Sequence, residues 1–391
     1  MKSLRSRSRT AANQPKGEGL VRTSEVVLRE GWALKREEMD LGQIGEFGLL
    51  QRIRRWAGKT SSRVVQGIGD DVAVMETKGR SRFCLLATTD MLVEDVDFRR
   101  SWADPYRLGK KALAVNLSDI AAMGGRPLYF LISLGLPRDI PVSFVSSFYR
   151  GLREGGRRHK TLLVGGDLTL SRKIVINICL IGEGRRDLLV YRKGARPGDD
   201  LFVSGTLGDA ALGLMILFRK GPHGEGRRLI NRHLNPTPRL ELGQALSQKR
   251  LVSAMIDVSD GLLLDLSHLL EASQVGAQVL EGSLPLSKLY RRYIHSYSDD
   301  FYALALRGGE DYELLFTASA KNRERILSLS KDLKTPITWI GKILPPKEGL
   351  RILRKDGTSY VPHSRGYEHF IRLLHHGPPE STDGSREGHK G

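Results

Sequence analysis

Cysteine is scarce in this sequence. Cys84 and Cys179 are the only two, and each lies inside an apolar run typical of a β-strand. A disulfide framework or a zinc site made of cysteines would need more thiols at closer spacing. We therefore expect two reduced cysteines in the core of a cytoplasmic protein.

Long apolar runs are also absent. The longest nearly uncharged stretch, Pro127 to Pro137, has roughly half of the ~20 residues that a membrane-spanning helix needs. Hydrophobic residues make up 40% of the chain and charged residues 27%, which is ordinary for a globular protein in water. The sequence therefore predicts no membrane span.

Several widespread motifs are missing as well. The chain has no GxxxxGK[ST] phosphate loop, no GxGxxG after a first strand and no protein-kinase signature. It has neither an HExxH metal pair nor a GxSxG nucleophile elbow. Any nucleotide or metal site must therefore be built from other residues.

Acidic residues are too few to balance the basic ones. There are 62 lysines and arginines against 44 aspartates and glutamates, which gives a net charge of +18. Such a charge attracts nucleic acid or anionic membranes, and nucleic-acid binding is one alternative function. However, the basic residues form short scattered pairs such as Arg157-Arg158 and Arg227-Arg228, without interleaved aromatics. We expect neither nucleic acid nor membrane as a partner, because a basic surface can equally collect phosphorylated substrates.

The composition divides the chain into four parts. Residues 1–40 begin with a basic, serine-containing stretch and are predicted to be a disordered extension, with a transit peptide as the alternative. Residues 376–391 are rich in Gly, Pro and Ser and are predicted to be a disordered tail. A turn-rich segment at Gly194–Asp200 indicates a boundary near residue 190. It separates an N-terminal domain, 41–190, from a C-terminal domain, 191–375.

Apolar periodicity predicts interspersed helices and strands in both domains, and hence a mixed α and β class. The predicted helices are Gly45–Trp56, Tyr106–Met123, Val142–Glu154, Asp209–Phe218, Pro238–Gln248 and Leu262–Ala272. The predicted strands are Val72–Met75, Phe83–Thr88, Leu128–Leu134, Thr161–Val164, Ile174–Ile181, Leu201–Ser204 and Leu314–Thr317.

One kind of phrase recurs between the apolar runs: an acidic residue beside glycine or a hydroxyl residue. We interpret these phrases as turns, in which glycine lets the backbone approach a ligand closely. Carboxylates that converge from such turns suit Mg²⁺, which prefers a few of them together with water and phosphate oxygens. The phrases are Gly69-Asp70-Asp71, Thr88-Thr89-Asp90, Ser118-Asp119, Gly165-Gly166-Asp167, Asp257-Val258-Ser259-Asp260-Gly261 and Gly308-Gly309-Glu310-Asp311.

Asp119 is the most informative of these residues, because it lies in an otherwise apolar helical stretch, ALAVNLSDIAAMG. A buried carboxylate costs several kcal/mol unless it is paired or binds a metal. Its position therefore favours a metal site over a turn or a helix cap.

The ordered series of motifs resembles the thiamine-monophosphate kinases, within the wider family that includes aminoimidazole ribonucleotide synthetase. The resemblance covers roughly residues 42 to 372. The motifs that carry it are GIGDDVAV, TTDMLVEDVDF, KALAVNLSDIAAMGGRP, GGDLT, RKGARPGD, DVSDGL, GGEDYELLF and RGYEHF.

This resemblance implies an α+β fold of two mixed α/β domains of the aminoimidazole ribonucleotide synthetase-like type. The N-terminal domain would pair with its copy in a homodimer, with the ATP site near that interface. The implied reaction is phosphorylation of thiamine monophosphate to thiamine diphosphate, with ATP as co-substrate and several Mg²⁺ ions. Since no phrase marks a nucleophile or a base, we expect direct transfer without a catalytic side chain.

The resemblance also implies roles for single residues, position by position. It implies Mg²⁺ ligands at Asp71, Thr88, Thr89, Asp90, Asp119, Asp167, Asp257 and Asp260. It implies ATP contacts at Gly166, Asp167, Arg192 and Ser259. It implies substrate contacts at Asp97, Glu310 and Tyr367. Asp97 departs from the family pattern, which commonly has histidine there, so Asp97 would pair with the cationic thiazolium or turn away.

Two alternatives remain. The chain could be another member of the wider family that uses ATP on a different small phosphorylated metabolite. It could also be a basic binding protein that kept the fold and lost turnover. The acidic set disfavours the second, because carboxylates without a metal would repel phosphate.

Overall fold

Two mixed β-sheets organise the chain in this computed structural model, which describes residues 40–57, 61–77, 81–219, 226–362 and 366–367. The strands are β1 (Val64–Gln66), β2 (Ala73–Glu76), β3 (Phe83–Val93), β4 (Arg126–Leu136), β5 (Leu162–Leu170), β6 (Val175–Arg185), β7 (Asp200–Ser204), β8 (Ala254–Val258), β9 (Gly276–Leu280), β10 (Glu313–Ala318), β11 (Ile337–Leu344), β12 (Leu350–Leu353) and β13 (Ser359–Tyr360).

The first sheet has the order β1-β2-β3-β6-β4-β5. Its pairs are antiparallel except for β4 with β5, which are parallel, so that β5 ends the sheet as an edge strand. The second sheet has the order β13-β12-β9-β11-β7-β10-β8, and its one parallel pair is β12 with β9. Strand β8 is its edge strand on the side of β10.

Helices alternate with these strands, which confirms the α+β class. The α-helices are α1 (Leu41–Trp56), α2 (Pro105–Ala122), α3 (Val142–His159), α4 (Asp209–Phe218), α5 (Arg227–Leu234), α6 (Leu240–Gln248), α7 (Leu262–Ser273), α8 (Lys288–Tyr293), α9 (Ala303–Arg307) and α10 (Arg323–Asp332). None of the helices in the described ranges is both long and apolar enough to cross a membrane. Among the described residues, 40–53 belong to one unit, and the second unit, which begins at Arg54, contains both sheets.

The hydrophobic core crosses the predicted domain boundary. One buried cluster joins Leu86 and Leu117 of the first half with Phe202 and Leu314 of the second. A second cluster belongs to the second half alone. The halves therefore do not bury two independent cores, and the boundary near residue 190 stays a prediction. The extension up to residue 39 and the tail 376–391 lie outside the described residues.

Two acidic phrases interpreted as turns lie in strands, so that interpretation is wrong for them. Strand β3 continues through Thr88–Asp90, and β5 continues past Val164 through Gly165–Asp167. The strands continue because their backbones stay paired with β6 and β4. At Gly166 a Cβ atom would lie 1.9 Å from the carbonyl oxygen of Ile132, so glycine there permits close strand packing instead of a turn.

Helices α2 and α3 pack closely because a glycine of α3 lies directly against the backbone of α2. A Cβ atom on Gly151 of α3 would lie 1.9 Å from the carbonyl oxygen of Tyr106 in α2. One turn later on α3, a Cβ atom on Gly155 would meet only Cδ2 of Leu113, at 3.3 Å. The first contact is with rigid backbone and the second with a side chain that can move.

We predict that Gly151→Ala lowers the free energy of unfolding by about 1–3 kcal/mol, because overpacking outweighs the gain in helix propensity. The matched control Gly155→Ala should be neutral or stabilising by up to about 1 kcal/mol. Urea denaturation of both variants tests this. Equal effects at the two positions would contradict the close helix contact.

Candidate active site

Three predicted carboxylates from distant parts of the sequence meet in one cluster. One oxygen from each of Asp71, Asp119 and Asp257 lies within 4.8 Å of the other two. Asp71 precedes β2, Asp119 lies on α2, and Asp257 lies on β8. Both halves of the chain therefore contribute to the site, as the acidic phrases predicted.

Each carboxylate of this cluster is held by one neighbouring side chain. Arg192 contacts Oδ1 of Asp71 through Nη2 at 2.6 Å and Nε at 3.2 Å. The Ser118 hydroxyl donates to Oδ2 of Asp257 at 2.6 Å. The Thr88 hydroxyl donates to Oδ2 of Asp119.

These contacts leave acceptor capacity inside the cluster. Oδ2 of Asp71 is buried and has no hydrogen-bond partner among the described residues. A buried carboxylate oxygen without a partner is costly. Three carboxylates whose oxygens lie this close together, one of them with a free acceptor, form a donor set that suits a hard cation.

The crowding of buried carboxylates raises the pKa of several of them. Burial and the charge of Asp71 raise the pKa of Asp257 to about 8. Burial and the charge of Asp90 raise the pKa of Asp119. Burial and the charge of Asp71 raise the pKa of Asp70 to about 7.

Asp90 and Asp260 lie beside the cluster. Burial and the charge of Asp260 raise the pKa of Asp90 to about 6. The backbone N–H of Asp90 donates to Oδ1 of Asn116 on α2 at 3.1 Å. Asp260 follows β8, and its backbone N–H donates to the buried Asp265 at 3.2 Å.

Strand alternation separates the two predicted threonine ligands. Thr88 is buried on the same face of β3 as Asp90, whereas Thr89 is exposed on the other face. The Thr89 hydroxyl donates to the carbonyl of Ile178 at 3.0 Å. The structure thus brings Thr88, but not the Thr89 side chain, to the carboxylate cluster.

Asp167 and Gly166 lie elsewhere on the first sheet. They are exposed on the edge strand β5, with β4 and β6 between them and β3. Since neighbouring strands are about 4.8 Å apart, β5 lies about 14 Å from β3 across the sheet. Within one chain, Asp167 therefore does not join the cluster.

Of the other predicted ATP contacts, Arg192 lies at the cluster through Asp71, and its backbone N–H also faces Asp70 at 3.3 Å. Ser259 follows β8, and its carbonyl accepts from the backbone N–H of Glu310 at 2.7 Å. Both residues thus lie next to predicted metal ligands.

The predicted substrate contacts surround the same region. Oδ2 of Asp97 accepts from the backbone N–H of Val93 at 2.7 Å, and the charge of Asp97 contributes to the raised pKa of Asp90. The backbone N–H of Tyr367 donates to the carbonyl of Asp260 at 3.2 Å, and its side chain is exposed. Glu310 lies between Lys111 and His233.

Sequence reasoning missed several residues that shape this site. Lys111, Asn116 and Ser118 stand in the KALAVNLSDIAAMGG motif, yet only Asp119 of that motif received a role. Buried polar side chains on an apolar helix were the signal that could have identified them. Tyr312 is also close, because the charges of Glu310, Asp90, Asp257 and Asp260 contribute to its raised pKa after burial.

The structure also contains a cavity of about 860 Å³. Four arginines line it, Arg107, Arg227, Arg228 and Arg232, together with Asp209 and Ser287. None of the predicted site residues is among those that line it.

The chain matches two family models, one in each half. The model "AIR synthase related protein, N-terminal domain" matches residues 69–183, and "AIR synthase related protein, C-terminal domain" matches residues 196–352.

Curated relatives match over nearly their whole length. The thiamine-monophosphate kinase of Aquifex aeolicus is 40% identical over 334 residues, covering 85% of this chain and 100% of the relative. That of Bacillus subtilis is 36% identical over 330 residues, covering 83% and 99%.

Solved structures give the same result. A structure described as AaThiL complexed with AMPPCP and TMP has a TM-score of 0.74 and 39% identity, covering 85% of this chain and 99% of that one. The thiamine monophosphate kinase from Aquifex aeolicus has a TM-score of 0.70 and 38% identity, covering 83% and 100%. This chain therefore belongs to the thiamine-monophosphate kinases, phosphotransferases within the AIR synthase related proteins.

Proposed function

We propose that this enzyme transfers the terminal phosphoryl group of ATP directly to thiamine monophosphate, giving thiamine diphosphate and ADP. The observation that carries the proposal is the cluster of Asp71, Asp119 and Asp257, assembled from both halves of a chain that matches thiamine-monophosphate kinases over nearly their whole length. The relative whose structure holds AMPPCP, an ATP analogue, together with TMP supports the pair of substrates.

The cluster fits Mg²⁺. Its donor atoms are all oxygens, Oδ2 of Asp71 has no hydrogen-bond partner among the described residues, and the pKa values of Asp119 and Asp257 are raised, which a bound cation would relieve. Asp71, Asp119 and Asp257 would hold ions, with Asp90 and Asp260 beside them. When bound, Mg²⁺ neutralises phosphate charge and reduces the repulsion between two anionic substrates.

The acceptor needs little help from a base. The second pKa of a phosphomonoester is about 6, so that the attacking oxygen is mostly ionised at neutral pH. The tasks left to the protein are to orient the two phosphates in line and to exclude water. The guanidinium of Arg192, 23% exposed beside Asp71, suits the first task because its fork can contact a phosphate.

We also propose that the enzyme is a homodimer that pairs through β5. All nine residues of this edge strand are exposed, including Leu162, Val164, Leu168 and Leu170, each more than half exposed. An exposed apolar edge strand favours pairing with another chain. Asp167 lies on the same strand, about 14 Å across the sheet from β3, so that a second copy would explain how it reaches a nucleotide.

The alternative is a different phosphorylated acceptor. The observation that favours it is Asp97 at the position where the family commonly has histidine. A carboxylate cannot donate to a phosphate as histidine does, so that the acceptor pocket differs in charge from the family pattern.

The proposed reaction predicts that purified enzyme with ATP, Mg²⁺ and thiamine monophosphate forms thiamine diphosphate and ADP in equal amounts. Asp119→Asn should lower kcat at least about tenfold, or about 1.4 kcal/mol. The control Asp187→Asn, which changes a surface ion pair, should retain activity. Turnover of another phosphorylated metabolite but not of thiamine monophosphate would favour the alternative.

The raised pKa values predict that Mg²⁺ binding weakens as pH falls. Because Asp257 has a pKa of about 8, it must lose a proton to bind the ion at pH 6. We expect Mg²⁺ affinity, measured by calorimetry without substrates, to be at least about tenfold lower at pH 6 than at pH 8, since one pKa unit corresponds to about 1.4 kcal/mol.

The raised pKa values of Asp70, Asp90 and Asp257 also make the stability of the metal-free protein depend on pH. Their pKa values are raised above the unfolded value, so their stabilising contribution is present below about pH 4 and is lost as pH rises towards 8. Mg²⁺ should therefore raise the Tm more at pH 8 than at pH 6, and Asp257→Asn should reduce this difference. An equal rise in Tm at both pH values would contradict the metal assignment.

The proposed dimer predicts that Leu168→Glu yields a monomer with reduced activity, as measured by light scattering and turnover. Val142, which is 83% exposed at the start of α3, provides the control, because Val142→Glu should leave the dimer intact. A wild-type enzyme that is a fully active monomer at micromolar concentration would rule out the proposed pairing.

A further inference from the structure

Three charged or titratable residues, Lys111, His233 and Glu310, form a second group beside the carboxylate cluster. Nζ of Lys111 lies 2.6 Å from Oε1 of Glu310, and Nδ1 of His233 lies 2.5 Å from Oε2. The side chains of Lys111 and His233 are 2% exposed, whereas that of Glu310 is 25% exposed. Glu310 is thus the member that remains open to a ligand.

The three residues come from separate elements. Lys111 lies on α2, His233 lies on α5 in the second half, and Glu310 lies between α9 and β10. Glu310 has a φ of 66°, in the left-handed region that side chains other than glycine rarely adopt. Its backbone N–H donates to the Ser259 carbonyl, which fixes this conformation from β8. Such strain persists only where neighbouring contacts enforce it, which is common in ligand sites.

The group is balanced in charge. Burial would raise the pKa of Glu310, but the charge of Lys111 and the contact with His233 lower it to about 2, so that the carboxylate stays ionised. Burial, together with the charge of Lys111, lowers the pKa of His233, which favours the neutral imidazole. The buried ammonium of Lys111 therefore compensates the Glu310 carboxylate.

A compensated carboxylate is a poor counter-ion but a good hydrogen-bond acceptor. Each oxygen of Glu310 has one contact, and a carboxylate offers about four lone-pair positions. Lys111 precedes Asp119 on α2 by about two helical turns, which places the two about 12 Å apart along the helix axis. Lys111 therefore contacts Glu310 from a part of α2 that lies about two turns before Asp119, while the backbone of Glu310 stays beside Ser259.

We propose that Lys111 is a positioning residue of the acceptor pocket, which orients Glu310 and compensates its charge so that Glu310 accepts a hydrogen bond from a neutral N–H group of the acceptor. In thiamine monophosphate this group is the exocyclic amine of the pyrimidine, and not the cationic thiazolium. The inference rests on the proposed function, because it takes Glu310 as an acceptor contact.

The first test is steady-state kinetics of Lys111→Met. The KM for thiamine monophosphate should rise about tenfold or more, the loss typical of a hydrogen bond to a charged group, while kcat and the KM for ATP change by less than about threefold. Lys111→Arg should restore part of the affinity. The neighbouring control Lys110→Met, which removes an ion pair with Glu154 and a contact with the Tyr106 ring but leaves Glu310 unchanged, should behave as wild type.

The double variant Lys111→Met/Glu310→Gln shows whether the effect of Lys111→Met is due to misfolding. It leaves no uncompensated buried charge, because both members of the ion pair are removed. It should fold and keep the high KM, since the amide introduced at position 310 is no longer held by an ammonium. An unchanged KM for thiamine monophosphate in Lys111→Met would overturn the positioning role. So would a loss of kcat and of ATP affinity as large as the loss of affinity for thiamine monophosphate.

Acceptor analogues identify the group that Glu310 contacts. An acceptor with oxygen in place of the exocyclic amine should bind wild type at least about tenfold more weakly, and Glu310→Gln should recover it because an amide can donate to that oxygen. An acceptor with an uncharged ring in place of the thiazolium should lose less affinity. If the analogue with the uncharged ring lost more affinity than the analogue with oxygen, Glu310 would be a counter-ion of the thiazolium. Failure of the wild type to phosphorylate thiamine monophosphate would instead refute the proposed function.

Discussion

The site depends on helix α2, which buries polar and charged side chains between the two halves of the chain. These side chains need partners, and that need constrains the arrangement around them. Lys111, Asn116 and Ser118 are each at most 2% exposed. Each would cost several kcal/mol without a partner. Ser118 and Lys111 find their partners in Asp257 and Glu310 of the second half. The buried polar groups of one helix therefore fix how the second half contributes to the site.

The protein as a whole is positively charged, whereas the candidate site contains a cluster of carboxylates. The net charge of +18 attracts anions to the molecule as a whole. At the cluster, however, several carboxylates lie close together and would repel a polyphosphate. The two features are compatible if the nucleotide arrives with its cations, because the carboxylates then bind the ions that the phosphates bring. On the proposed function, the basic surface would attract anions to the molecule, and the acidic cluster would act on them only through the bound cations.

The sequence located the centres of the predicted helices and strands and the acidic residues that meet in the cluster, but it missed elements such as β9, β11 and α5 and could not show how distant segments pair. Asp119 was identifiable because a carboxylate on an apolar helix needs a partner. Periodicity also located α2, which was predicted as Tyr106–Met123 and extends over Pro105–Ala122. Strand β5 was predicted to end at Val164, because glycine and aspartate usually mark turns. Its continuation depends on pairing with β4, which no local pattern contains.

The same limit explains why Lys111 and His233 were missed. They lie far apart in sequence, and only the left-handed backbone of Glu310 and the packing of α5 bring their side chains to one carboxylate. A buried lysine on an apolar helix indicates that some carboxylate must lie beside it, but it does not identify that carboxylate. Long-range pairing of buried charges therefore has to be read from the fold.

The two carboxylates proposed as acceptor contacts, Glu310 and Asp97, lie in different surroundings. Nζ of Lys111 lies beside Glu310 and compensates its charge, so the proposed role of Glu310 is to accept a hydrogen bond rather than to serve as a counter-ion. Oδ2 of Asp97 accepts from the backbone N–H of Val93, and the charge of Asp97 contributes to the raised pKa of Asp90. The replacement of histidine by aspartate therefore adds a negative charge beside a carboxylate of the proposed metal site.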